Sequence, residues 1–99
     1  MMFDQLITRA IKERHKLHFT YDGKSRVVDP HVFGISTKGN KVVLCWQTGG
    51  FSSKNDLPNW RMFEIDEIQG LSIGNECFTP QLKRHNKFES NIQSVYATI

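Results

Sequence analysis

The spacing of apolar residues changes from a helical to a strand period within the first 21 residues of the chain. Apolar side chains recur three and four residues apart near the N-terminus, at Phe3, Leu6, Ile7, Ala10 and Ile11. This spacing places them on one stripe of a helix over about residues 2–14. Leu17, Phe19 and Tyr21 then alternate with polar residues, which is typical of a strand with one buried face. The chain is therefore expected to combine a helix with a sheet.

Turn and breaker residues divide the following segment. Asp22-Gly23 predicts a hairpin turn, because glycine tolerates the positive φ that such turns require. The return strand, over about residues 25–28, is expected to end near Pro30, since proline has no N–H for a central ladder. The chain is expected to bend there and to continue as a separate extended piece over residues 31–36.

A central strand is predicted after a second turn at residues 38–40. Residues 41–47 are apolar on both faces, as expected for a strand that is covered on both sides. Residues 48–59 are rich in Gly, Ser, Asn and Pro without a sustained period, which indicates a mobile surface loop.

The remaining pattern completes an α+β fold. Residues 60–65 and 70–73 have strand patterns and residues 66–69 resemble one helical turn, so the sequence predicts a helix packed on a small five-stranded antiparallel barrel. Beyond Pro80, apolar residues again have helical spacing, at Ile92, Val95, Tyr96 and Ile99. A short C-terminal helix is predicted from them, which docks on the barrel, docks on another subunit or remains partly frayed.

Length and composition favour one domain. The chain has 99 residues, of which 38% are hydrophobic, enough for one hydrophobic core and too few for two. We expect a barrel core over about residues 3–75 and a C-terminal tail or helix over about residues 79–99. No apolar run reaches the roughly 18 residues of a membrane span, and the N-terminus lacks the apolar core of a signal peptide. A cytoplasmic location with no membrane partner is therefore expected.

The residues that carry chemistry do not form a catalytic or metal-binding pattern. The four histidines have no metal-ligand spacing, and His18 and His31 are interpreted as residues on the polar faces of strands. Cys45 and Cys77 are expected to be reduced structural thiols, and burial of Cys45 in an apolar strand would suppress its reactivity. We expect no catalytic residue, no metal and no cofactor, and therefore no enzymatic activity.

Charge is unevenly distributed along the chain. The net charge is +3, but residues 9–41 hold eight Lys or Arg against three acids, whereas residues 56–76 hold five acids against Arg61. Such asymmetry indicates either an anionic partner or a solvated surface whose opposite charges meet after folding.

Several short motifs occur in the order found in one known family. They are Ala-Ile-Lys-Glu-Arg-His-Lys-Leu-His-Phe-Thr-Tyr at 10–21, Arg26 with Pro30, the strand after Gly39-Asn40, and Arg-Met-Phe-Glu-Ile-Asp-Glu-Ile at 61–68. Together, over roughly residues 3–75, they resemble the WYL domain of bacterial transcriptional regulators. The resemblance implies a helix followed by an Sm-like, SH3-type five-stranded barrel. It also implies a role in transcription regulation as a module that senses a nucleic-acid or nucleotide-like anion.

The resemblance carries over to particular residues. Arg26 matches the arginine ahead of the family's proline, Arg61 opens the R-x-F motif, and Tyr21 closes the first strand. The paired donors of two arginines match phosphate oxygens, although pairing with acidic residues on neighbouring strands (Asp29, Glu64 or Asp66) is their structural alternative. Trp60 is expected either to stack on a base at the same site or to lie in the core. Single-stranded nucleic acid or a nucleotide, a regulator protein and a second copy of the chain are the partners considered.

Two departures from the family pattern favour a divergent member, and the lack of a helix-turn-helix segment in this sequence leads us to expect a stand-alone one. Val42-Val43-Leu44 replaces the name-giving Trp-Tyr-Leu, and Glu67 stands where many members have an arginine. Both changes weaken phosphate binding, since a hydroxyl donor is lost and a cation becomes an anion. The alternative hypothesis is a protein-interaction or assembly domain without a small ligand, which would use strand edges and the C-terminal apolar stripe.

Overall fold

The chain folds as an N-terminal helix followed by a mostly antiparallel sheet. The computed structural model describes residues 2–51, 56–81 and 86–99. The elements in this part of the chain are α1 (Met2–Glu13), β1 (His15–Tyr21), β2 (Lys24–Ser36), β3 (Lys41–Gly50), β4 (Asn59–Glu64), a 3-10 turn (Ile65–Glu67), β5 (Gln69–Cys77), the short helix α2 (Asn86–Glu89) and β6 (Ile92–Thr98). The predicted α+β class with its N-terminal helix is confirmed.

Helix α1 buries the apolar stripe that the sequence predicts. Ile7, Ala10 and Ile11 are each fully buried against the sheet. The helix ends where Arg14 adopts a left-handed conformation, with φ 61°, and the Arg14 Nη1 donates a hydrogen bond of 2.8 Å to the carbonyl of Ile11. This bond satisfies one of the carbonyls that a helix end leaves without an internal partner.

The long strand β2 organises the sheet. The strand order is β4-β3-β2-β1-β5, and β6 pairs with the second half of β2 beyond the end of its pairing with β1. Within the described residues the two ends of this order, β4 and β5, do not pair with each other. The prediction of a closed five-stranded barrel was therefore wrong: the described sheet has six strands and is open, because β6 adds a strand to β2 instead of closing the ends.

Strong curvature gives the sheet a concave face. The ring of Phe63 on β4 lies 5.0 Å from that of Phe19 and 4.9 Å from that of Tyr21, both on β1. Two strands separate β1 from β4, and three strand spacings in a flat sheet would be about 14 Å. The sheet therefore curls around one core, which α1 also covers.

Pro30 does not end a strand, contrary to the expectation from its missing N–H. Strand β2 runs through it, and its register against β3 shifts between Pro30 and Val32, with Pro30 opposite Cys45 and Val32 opposite Leu44. His31 is thus an extra residue on β2, as in a β-bulge, a position that accommodates proline. His31 is also fully buried, so its interpretation as a polar-face residue was wrong.

The buried ring of His31 links β2 to the segment after β5 by hydrogen bonding. Its Nδ1 lies 2.8 Å from the carbonyl oxygen of Asp29, and its Nε2 accepts a hydrogen bond of 2.9 Å from the N–H of Gln81. Because Nε2 is the acceptor, Nδ1 carries the proton and donates to the Asp29 carbonyl.

The side chain of Asp29 is also buried. Desolvation raises the pKa of its carboxyl, although the 2.7 Å contact with Lys16 acts in the opposite direction.

The predicted C-terminal helix is replaced by a strand. Residues 92–98 form β6, antiparallel to β2, and helix α2 covers one turn before it. Two register shifts interrupt the β6–β2 pairing, so the apolar residues of β6 do not alternate regularly and their spacing resembles that of a helix. Residues 92–98 form a strand and not a helix because the edge of β2 beyond its pairing with β1 has backbone groups that need partners. A helix would not supply these partners.

The predicted turns and the central strand are confirmed. Asp22 and Gly23 have φ 55° and 73° at the β1–β2 hairpin, and Gly39 has φ 86° at the next turn. Strand β3 lies between β2 and β4. The loop predicted over residues 48–59 is shorter than expected, because 48–50 belong to β3 and 59 belongs to β4, while residues 52–55 lie outside the described residues.

None of the helices in the described ranges has the length and apolar character needed to cross a lipid bilayer.

Candidate functional site

Three polar side chains lie on the concave face of the sheet, next to apolar core residues. Residues directly opposite each other on paired strands share a face, and three such pairs join apolar core residues to polar ones: Phe19 with Arg26, Val28 with Gln47, and Cys45 with Arg61. The apolar member of each pair belongs to the main core cluster. Arg26, Gln47 and Arg61 therefore point to the concave side of the sheet, beside the core.

Arg26 is the central cation of this region. Its guanidinium carbon lies 5.8 Å from the ring centroid of Tyr21 and 5.7 Å from that of Phe63. Its Nη2 donates to the Tyr21 carbonyl and its Nη1 to the Phe51 carbonyl, each at 3.3 Å. Within the described residues no carboxylate lies close enough to Arg26 for an ion pair, and its buried Nε has no hydrogen-bond partner there.

Tyr21 forms one wall of this region. Its ring packs edge-on against Phe63, 4.9 Å away, and its hydroxyl oxygen accepts a hydrogen bond of 3.3 Å from the N–H of Glu64. Burial raises the pKa of the Tyr21 hydroxyl above its usual value, so the group stays protonated at neutral pH. Tyr21 therefore presents an aromatic face to Arg26 and keeps its hydroxyl proton.

Gln47 is a fully buried polar residue at the same end of the sheet. Its Nε2 donates to the carbonyls of Gly49 and Phe51, at 3.0 and 2.9 Å. Its Oε1 is buried and has no hydrogen-bond partner within the described part of the chain. Gln47 Oε1 and Arg26 Nε are therefore buried polar atoms at this end of the sheet that have no partner among the described residues.

Phe51 is the point where these contacts meet. Its carbonyl accepts from both Arg26 and Gln47, and its N–H donates to the Ser25 carbonyl at 2.8 Å. The preceding Gly50 has φ 83°, and a Cβ there would overlap the Ser25 carbonyl oxygen. Glycine thus permits the close approach that holds Phe51 against β2. We call the group Tyr21, Arg26, Gln47, Phe51 and Phe63 the Arg26 site.

Arg61 lies on the same face but is neutralised. Its Nη2 contacts Asp56 Oδ1 at 2.6 Å, and its Nη1 donates to the Trp60 carbonyl at 2.9 Å. Arg61 lies opposite Cys45 on β3, whereas Arg26 lies opposite Gly50, a separation of about 16 Å along that strand. The partner of Arg61 is thus Asp56, which was not among the acids considered from the sequence.

Trp60 lies on the other face of the sheet. Consecutive strand residues point to opposite faces, so Trp60 cannot share the concave face with Arg61. It is 5% exposed and packs with Val32, Leu44 and Trp46 in a second apolar cluster. Of the four predicted ligand residues, the structure brings Tyr21 and Arg26 into contact, pairs Arg61 with an acid, and buries Trp60 on the convex side.

Comparison of the chain with models of known protein families, with curated proteins and with solved structures gave no match. Any functional assignment therefore depends on the residues and on their geometry.

The two cysteines lie in different environments. Cys45 is buried, and desolvation raises the pKa of its thiol well above the usual value, which disfavours the reactive thiolate. Cys77 is exposed, with its Sγ 3.9 Å from His15 Nδ1. Both cysteines are free thiols, as expected, but only Cys45 is buried. No group of three His, Cys, Asp or Glu residues in the described ranges is arranged to hold a metal ion.

Gln47, Phe51 and Phe63 are members of the site that were not predicted as ligand residues. Phe63 lies in the R-x-F motif. Gln47 ends an apolar run and Phe51 begins a segment rich in small polar residues, so neither of these two belongs to a recognisable motif. The Gly49-Gly50 pair between them is the signal that could have found them, because paired glycines permit a close return of the backbone.

Proposed function

We propose that this chain is a non-enzymatic regulatory module that binds an anionic ligand of nucleic-acid or nucleotide type at the Arg26 site. The observation that carries the proposal is the Arg26 guanidinium, which is partly buried against a pair of adjacent aromatic rings and has no carboxylate partner among the described residues. An uncompensated cation in such a position lowers stability. Costs of this kind are expected at functional sites, where a ligand supplies the missing charge.

The chemistry of the site suits a phosphate group. A guanidinium offers paired donors that match phosphate oxygens, and the present acceptors of Arg26 are two uncharged carbonyls at 3.3 Å. A phosphate oxygen would give shorter and stronger charge-assisted bonds. The rings of Tyr21 and Phe63 hold the guanidinium in place, so little side-chain entropy is lost when the anion binds.

The resemblance to WYL domains supports the same function. The order of a helix and then a curved antiparallel sheet agrees with what the resemblance implies, and Tyr21 and Arg26 are residues that it carries over. The sixth strand, the open sheet and the pairing of Arg61 with Asp56 depart from it. We propose a divergent WYL-type domain that has kept the Arg26 half of the site, with transcription regulation as its setting.

Replacing Arg26 with glutamine should weaken binding of a fluorescein-labelled single-stranded oligonucleotide by about tenfold, because a charge-assisted hydrogen bond contributes roughly 1.5–3 kcal/mol. The slope of log affinity against log salt should also become shallower by about one phosphate contact. Fluorescence anisotropy at several salt concentrations measures both quantities.

The matched control for this experiment is Arg9→Gln. Arg9 is exposed on α1 and pairs with Glu13 at 3.2 Å, so the variant has the same net charge as Arg26→Gln but leaves the site intact. Its affinity should stay within about twofold of the wild type, since exposed ion pairs contribute little. An equal loss of affinity in the two variants would refute the proposed site. An affinity that depends neither on salt nor on Arg26 would refute it as well.

A second candidate function, assembly through β6, is favoured by one observation. Val95 and Tyr96 are neighbours on β6 and are 53% and 51% exposed, and the described residues contain no strand on the outer edge of β6. An exposed edge with apolar side chains and no charge is a surface on which another strand can pair.

A lysine at position 95 should prevent such pairing, because a charge on an edge strand opposes the addition of another strand. If assembly is the function, the wild-type protein should sediment as a dimer at micromolar concentration and Val95→Lys as a monomer. Gln5→Lys, which adds the same charge at an exposed position of α1, is the control and should remain dimeric. A monomeric wild type would exclude this candidate.

A further inference from the structure

Phe51 combines an exposed ring with a fixed backbone. The side chain is 41% exposed, although large apolar side chains usually gain free energy by burial. Its N–H and its carbonyl are both held, by Ser25 on one side and by Gln47 and Arg26 on the other. The ring is therefore presented to solvent from a position that three hydrogen bonds define.

One cation lies over this ring and a second contacts the backbone carbonyl of the same residue. The Nζ of Lys24 lies 5.0 Å from the Phe51 ring centroid, and Arg26 is bonded to the Phe51 carbonyl. Lys24 is itself exposed, so a planar ligand can displace its flexible ammonium group from the ring face. The displaced ammonium would remain close enough to meet a phosphate of the same ligand.

An exposed aromatic ring next to cations matches the requirements of an unpaired nucleotide. A base stacks on the ring while the neighbouring phosphate meets the cations, and the contact tolerates any base because every base has a π-face. The bases of a duplex have their faces covered by their neighbours and cannot use such a ring without unstacking.

We infer that Phe51 is a base-stacking residue and that the ligand of the Arg26 site is a single-stranded nucleic acid, with one base on Phe51 and the adjacent phosphate on Arg26 and Lys24. This inference rests on the proposed function, because it assigns the ligand class of the same site. Gln47 acts as a positioning residue, since its amide fixes the Phe51 carbonyl at 2.9 Å.

The test compares two labelled strands of about ten nucleotides, an oligothymidylate and a strand of equal length made of abasic sites, which carry the same phosphate charge. The wild type should bind the oligothymidylate about tenfold more tightly than the abasic strand, because stacking on one aromatic ring contributes roughly this factor. Phe51→Leu should remove this difference by weakening binding of the oligothymidylate. Phe51→Tyr, which keeps the ring, should behave as the wild type.

The two proposals fail in different ways in this experiment. Equal affinity for both strands, unchanged in Phe51→Leu, would overturn the stacking inference while an effect of Arg26→Gln on both strands would still support the anion site. Absence of binding to either strand, or no effect of Arg26→Gln, would overturn the anion site. Duplex DNA that binds as tightly as the oligothymidylate would also overturn the assignment to single strands.

Discussion

Replacing Phe63 with alanine is expected to lower the free energy of unfolding by about 3–5 kcal/mol, the usual cost of truncating a buried phenylalanine. Phe63 is 2% exposed and packs against Phe19 and Tyr21 across the curl of the sheet. The truncation leaves a cavity between β1 and β4, which are not hydrogen-bonded neighbours and cannot close it by a small shift. Urea denaturation followed by tryptophan fluorescence measures the loss.

The same substitution at Phe51 is the control. Because the Phe51 side chain is 41% exposed, its truncation should cost less than about 1 kcal/mol. Similar losses at the two positions would mean that the contact between β1 and β4 does not hold the sheet in its curled form. The Phe63 ring centroid also lies 5.7 Å from the Arg26 guanidinium carbon. Such a result would therefore also argue against Phe63 as a wall of the proposed site.

A side chain at position 34 is expected to detach β6 from β2. A Cβ on Gly34 would overlap the backbone carbonyl oxygen of Ser94 and lie 3.0 Å from the Ile92 side chain, so Gly34→Ala forces the two strands apart. Overpacking of this kind costs about 1–3 kcal/mol. Amide hydrogen exchange over residues 92–98 should therefore accelerate by about tenfold or more, while exchange in β1 and β3 stays close to that of the wild type.

Gly49→Ala is the control for the strand-pairing experiment. The nearest atom to a Cβ at position 49 is the Val27 Cβ at 3.4 Å, which is close to ordinary contact, so exchange in β6 should not change. Unchanged exchange in Gly34→Ala would contradict the pairing of β6 with β2. Circular dichroism would then test whether residues 92–99 form the helix that their apolar spacing predicts.

The parts of the fold that were predicted correctly depend on local features. The apolar stripe of α1 is buried as its period predicts, and Asp22-Gly23 forms the first hairpin because its backbone conformation is accessible to these residues. Strand β3 was recognised as central because apolar residues on both of its faces need cover from both sides. Each of these inferences needs a segment of ten residues or fewer, roughly the range over which side-chain periodicity is informative.

The errors arose where distant segments pair. Pro30 was expected to end a strand, but the extra residue His31 places it at a bulge, and a bulge is defined by the partner strand. The spacing of Ile92, Val95 and Tyr96 fits a helix, but the free edge of β2 draws these residues into a strand. The sequence of either segment alone does not show which strand it pairs with or in which register.

In the candidate site, too, contacts between residues close in sequence were predicted, whereas contacts between distant residues were not. Tyr21 and Arg26 were predicted together, and the short β1–β2 hairpin brings them into contact because they are five residues apart across one turn. Trp60 and Arg61 were also predicted together, yet adjacent residues of one strand point to opposite faces, and their strand assignment already implied this separation. Gln47 and Phe51 were not predicted, because their role depends on the return of the chain to Ser25 after Gly50.

The sequence by itself therefore determined the helix, the first hairpin, the central strand and the proximity of Tyr21 to Arg26, since local periodicity and turn chemistry control all four. The tertiary structure decided the number of strands, the open curled sheet and the partners of the two arginines. Arg61 meets Asp56 and is neutralised, whereas Arg26 meets two aromatic rings and a carbonyl of Phe51. The physical reason is that ion pairing and strand pairing act between groups that folding alone brings together, so their outcome depends on the whole chain.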